Sequence, residues 1–81
     1  MDEKSILDTI NGLVDEEHRL RTAAQQGRVD SEEERTRLRR LEEALDQCWD
    51  LLRRRRAARA NAQDPDAVDP RPVTEVEGYL Q

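Results

Sequence analysis

Phenylalanine is missing from this sequence of 81 residues, and Trp49, Tyr79, Cys48 and His18 are each the sole representative of their kind. Such scarcity of aromatic bulk leaves little to wall a deep cleft, and a chain of this length buries only about 60% of its unfolded surface. A lone thiol cannot form an internal disulfide and fits a reducing compartment, so a cytoplasmic location is expected. The longest unbroken apolar run is two residues, far short of the roughly 20 that span a bilayer, so no membrane partner is expected. No charged-then-apolar signal segment opens the chain. There is no glycine-rich phosphate loop, no Cys-x-x-Cys pair and no Ser-His-Asp arrangement. These absences argue against an enzyme and against a bound cofactor.

What is present is charge. Lys and Arg number 14 and Asp and Glu 19, for a net charge of −5. The bias is local: residues 1–30 and 62–81 are acidic, and residues 31–61 are basic. All bases but Lys4 are arginine, a codon-level sign of a GC-rich genome. With the acidic excess, a generally basic nucleic-acid face is absent.

The apolar residues keep helical time. Ile6, Ile10, Leu13, Leu20 and Ala24 fall on a heptad-like stripe, skipping Glu17, with Leu7 and Val14 one step round. This predicts a first helix over about residues 2–26, capped by Asp2 or Ser5. Gly27 is placed to close it in a left-handed conformation, and a turn over 27–30 follows. Ser31 with Glu34 forms a capping box. It opens a second helix over about 31–60, with the stripe Leu38, Leu41, Leu45, Cys48 and Leu52. Glu33–Arg37 and Asp50–Arg54 are spaced as salt pairs on its exposed face.

So short a turn makes the helices antiparallel neighbours, with Ile6 near Leu52 and Leu13 near Leu45. The expected fold is therefore all-α: a coiled-coil-like two-helix hairpin over residues 1–61 with an extended C-terminal tail. Residues 62–81 begin with Asp64-Pro65, Asp69-Pro70 and Arg71-Pro72, a Pro- and Asp-rich linker that breaks a helix. They end in a short docking motif carrying Val73, Val76, Tyr79 and Leu80. The linker acids directly follow the arginine run, so the linker is expected to lie along the basic end of the second helix.

Two helices leave part of each stripe uncovered. Leu7, Val14, Trp49 and Leu51 are the expected remainder. Together with Val76, Tyr79 and Leu80 they are the candidate interaction residues, and a second copy (a homodimer) or a partner helix is the expected occupant. The alternative from another class is a nucleic-acid-associated regulator using the basic patch Arg53, Arg54, Arg55, Arg56 and Arg59. It is the weaker reading, because no aromatic interleaves the run and acids follow it. His18 with Asp15 shares a helix face, but Asp stands where a bundle metal site uses Glu, and no metal is expected. Cys48 is expected to pack in the stripe, and Glu17 to swing to solvent.

Particular strings carry a resemblance. Glu16-Glu17-His18-Arg19-Leu20, Asp46-Gln47-Cys48-Trp49-Asp50-Leu51-Leu52 and the closing Val76-Glu77-Gly78-Tyr79-Leu80-Gln81 resemble a family of short actinobacterial proteins known as domain of unknown function 2630. The resemblance spans nearly the whole chain and implies a high-GC actinobacterial source. It implies no activity, ligand or functional residue.

Overall fold

A computed structural model describes residues 2–27 and 32–80. Among these the chain is all-helical: α1 (Glu3–Gln25), α2 (Glu32–Ala60), a 3₁₀ turn at Pro65–Ala67 and α3 (Val73–Leu80). The expected turn residues 28–30 and the Ser31 half of the capping box lie outside the described residues.

Asp2 starts α1 by accepting a hydrogen bond from the Ser5 backbone N–H at 2.8 Å. That bond holds its carboxyl below the usual range. Gly27 takes φ +73° beyond the end of α1, a conformation that side chains resist. At the end of α2 the same role falls to Ala62, at φ 57°. Gln63 N–H reaches the Ala58 carbonyl at 2.7 Å and Ala62 N–H the Arg59 carbonyl at 3.2 Å. This is a Schellman closure without its glycine.

The start of α1 meets the end of α2, since Glu3 pairs with Arg56 at 2.7 Å and with Arg59 at 3.6 Å. Further along α1, Glu16 pairs with Arg37, and Arg21 with Glu42, in the first half of α2. The two long helices therefore run antiparallel. Arg37 takes Glu16 across the interface, and not the Glu33 of its own helix that spacing suggested. The core lies between them and is small: Ile6, Ile10, Leu45, Leu51 and Leu52 form one cluster, with Leu7, Leu13, Cys48 and Val68 partly buried against it. Each fully buried aliphatic side chain contributes roughly 1.5–3 kcal/mol, so few residues carry the fold.

Leu51 corrects one expectation. It is 4% exposed and belongs to the core. It packs with Ile6, Ile10, Leu45 and Leu52, and Val68 of the returning segment lies against the same cluster. The tail is not extended: the 3₁₀ turn and α3 both fold back on α2, and Val76 is completely buried. The segment after the arginine run lies along α2 as its charge order suggested. Buried Arg55 donates to the Pro65 carbonyl and to Asp66, both at 2.9 Å, and Arg54 donates to the Asp69 carbonyl at 2.9 Å. The molecule measures 50 × 25 × 15 Å with a radius of gyration of 15.0 Å.

Candidate functional site

Two surfaces emerge from this packing. One is the joint between α2 and α3, and the other is the open edge of the α1–α2 pair.

At the joint, α2 brings Gln47, Asp50 and Arg54 to one side, three and four residues apart as the helical turn requires. Asp50 is only 3% exposed, although its spacing to Arg54 reads as an ordinary surface pair. Its Oδ1 accepts from the Tyr79 hydroxyl. Its Oδ2 lies 3.4 Å from Arg54 Nη1 and 3.7 Å from Arg71 Nε. Gln47 Nε2 donates to the Arg71 carbonyl at 2.7 Å, and the Arg71 guanidinium sits 5.5 Å from the centre of the Tyr79 ring. Thus one buried carboxylate gathers two guanidiniums and a phenol. An open cavity of about 390 Å³ results, lined by Asp50, Arg53, Arg54, Ala57, Arg71 and Tyr79. Gln47 and Arg71 were not singled out by sequence, and Asp50 was read only as the partner of Arg54 in an exposed salt pair. Their only sequence signal is that the helix spacing aligns Gln47, Asp50 and Arg54.

The same joint holds a strained acid. Glu77 of α3 has a buried Oε2 with no donor. Its carboxyl is pushed above the usual range by a hydrogen bond shared with Asp46, then by burial, and then by the charges of Asp46, Glu43 and Glu42. A proton on Glu77 supplies the missing donor. The folded chain therefore binds that proton more tightly than the unfolded chain. The resulting stability is present below the ordinary glutamate value of 4.5 and is lost as pH rises through the raised value. Glu3 works in the opposite sense: its hydrogen bond from Arg56 holds its carboxyl low, a contribution lost only as pH falls through that lowered value. Glu77→Gln should accordingly flatten the decline in melting temperature expected of the natural chain as pH rises above 4.5. An unchanged slope, followed by circular dichroism, would show that the Glu77–Asp46 contact carries no proton.

On the open edge, Leu7, Val14 and Arg21 of α1 are heptad-spaced, as are Glu42, Trp49 and Arg56 of α2. The pairs Glu3–Arg56 and Arg21–Glu42 close its two ends. Between them Val14 is 44% and Trp49 41% exposed, while Leu7 leans against the core. Of the other candidates, Val76 is inside the joint, and Tyr79 and Leu80 are about half exposed, Tyr79 at the rim of the cavity.

The basic run is not one surface. Arg55 is buried with Asp66, Arg54 is shared between Asp50 and Asp69, and Arg56 and Arg59 share Glu3. Asp2, also expected to neutralise the run, is instead the cap of α1. Arg53 alone of the run makes none of the described hydrogen bonds or ion pairs. His18 and Asp15 are exposed, and among the described residues no group of three or more His, Cys, Asp or Glu is placed to hold a metal. Half-buried Glu17 pairs with Arg21 of its own helix at 3.5 Å. Burial pushes the Cys48 thiol up, away from the reactive thiolate. No helix among the described residues is long and apolar enough to cross a membrane.

Over 70 residues the chain is 50% identical to uncharacterized protein Rv0898c of Mycobacterium tuberculosis (strain ATCC 25618 / H37Rv). It is equally similar to uncharacterized protein Mb0922c of Mycobacterium bovis. The matched stretch covers 86% of this chain and 80% of each relative. No solved structure matches it. The string Asp46-Gln47-Cys48-Trp49-Asp50-Leu51-Leu52 supplies two core leucines and the buried carboxylate of this chain. Residues 2–81 match the family described as "Protein of unknown function (DUF2630)", and the chain belongs to that family.

Proposed function

We propose that this protein is a non-enzymatic, cytoplasmic interaction module that associates with a second copy of itself. The acting unit is the antiparallel α1–α2 hairpin, braced from one side by α3. The observation that carries the reading is the exposure of Val14 and Trp49 on one heptad-spaced edge, while the opposite side of α2 is covered by the chain's own C-terminal segment. A two-fold contact suits this edge, because each end presents one acid and one base, Glu3 with Arg56 and Glu42 with Arg21. A copy turned about a two-fold axis meets opposite charge in either orientation, and each Trp49 is buried by the partner.

At micromolar concentration sedimentation equilibrium should give about twice the chain mass of 9.4 kDa. Trp49→Glu should return the mass to one chain without loss of helicity, since the ring is not part of the core cluster. A natural chain that stays monomeric at that concentration would overturn the reading. The nucleic-acid alternative gains no support from the arginine run, in which Arg54, Arg55, Arg56 and Arg59 are already engaged by carboxylates of the same chain.

A further inference from the structure

We infer that the cavity between α2 and α3 is a binding site for a single phosphate group, inorganic or as a small phosphate monoester, held by Arg53 and Arg71. Three guanidiniums and one carboxylate line it. The carboxylate, Asp50, is spent: it is buried, accepts the Tyr79 hydroxyl and faces Arg54 and Arg71. Its work is to hold the cations in place, so the site faces solvent with positive charge in excess. Arg54 is committed to Asp50 and to the Asp69 carbonyl. Arg71 is held only by long ion pairs to Asp50 and Glu75, both at 3.7 Å, and Arg53 makes none of the described hydrogen bonds or ion pairs.

Arg71 is fixed without being satisfied. Gln47 pins its carbonyl and the Tyr79 ring faces its guanidinium. Yet the nearest carboxylate oxygens, on Asp50 and Glu75, stand 3.7 Å away, and none of the described hydrogen bonds comes from its side chain. Exposed Arg53 likewise has no described partner. Each guanidinium carries its donors in a rigid fork that matches two oxygens of a phosphate at once. Preorganising such a fork removes much of the ordering cost of binding. Ala57, the short side chain among the lining residues, leaves room between the arginines. A volume of about 390 Å³ is at the small end of ligand pockets; it admits a phosphate with a small substituent, and a nucleic-acid duplex contacts phosphates over a far longer surface.

The test is isothermal titration of the full-length protein with sodium phosphate at about pH 7.5, where the dianion predominates, against sodium chloride at matched ionic strength. A second arm uses O-phosphoserine. Saturable binding of phosphate with a Kd on the order of 1 mM or tighter is expected, with none for chloride. Arg53→Gln should weaken it by about 10-fold or more, because a charge-assisted pair is lost, while Arg59→Gln, outside the cavity, should change it less than about 2-fold. The Arg53 substitution removes none of the described hydrogen bonds or ion pairs, so circular dichroism should not change. Tighter binding of O-phosphoserine than of phosphate assigns the monoester, and the reverse assigns the free ion; either outcome supports the site. Equal responses to phosphate and chloride would overturn it. So would equal losses in the two arginine variants, which would mean a diffuse basic helix end.

Discussion

Leu52→Ala should cost about 2–5 kcal/mol of folding stability. Leu52 is 1% exposed and touches the one core cluster that joins α1 to α2. The reserve it draws on is small, since chains of this size hold roughly 4–12 kcal/mol in total. A loss of that size lowers the melting temperature by roughly 10 °C or more in a domain this short. Denaturant unfolding followed at 222 nm measures it. A cost under about 1 kcal/mol would mean that Ile6, Ile10, Leu45 and Leu51 close over the gap, and that the core is more plastic than its size implies.

Val76→Asp should release α3 while the two long helices stay paired. Val76 is the one completely buried residue of α3, and a carboxylate in its place loses its hydration on docking. α3 has only eight residues, and an isolated helix shorter than about 12 residues is not stable in water. Undocked, it should unravel. Hydrogen exchange of the α3 amides should rise toward the unstructured rate, and the Tyr79 hydroxyl should lose Asp50. The amides around Ile10 and Leu45 should keep their protection, because that part of the core lies against α1. Retained protection over Val73–Leu80 would show that Tyr79 and Arg71 suffice to hold the helix.

The long helices were legible because their apolar stripes, the caps of α1 and the heptad spacing all agree with one another. Val14 and Trp49 were legible for the same reason: residues one step off a stripe stay uncovered unless a further element arrives. Beside Leu51 the returning chain did arrive, with Val68 against the cluster that Leu51 shares with Ile6 and Ile10, and there the reading of Leu51 failed. Covering by the C-terminal segment depends on where the chain returns, and periodicity within α2 has no information about that. The charge order of the arginine run and the following acids did foretell the return path. Asp50 was opaque, since a carboxylate four residues before an arginine looks the same whether solvent or a tyrosine faces it. The end of α2 was softened by Ala62, which occupies the left-handed position that Gly27 marks openly after α1. Alanine there costs roughly 1–2 kcal/mol, so the stop at Ala60, where the reading put it, is marked by the Asp-Pro pairs beyond and by no glycine.

The slab-like outline has a hydrodynamic consequence. A compact chain of this length has a radius of gyration of about 12 Å, and this one reaches 15.0 Å. A single chain therefore drags more water than a sphere of equal mass and leaves a sizing column early. Pairing through the edge that carries Val14 and Trp49 adds thickness and little length. The frictional ratio then falls as the mass doubles, and the sedimentation coefficient climbs faster than it would for end-to-end assembly of the same two chains.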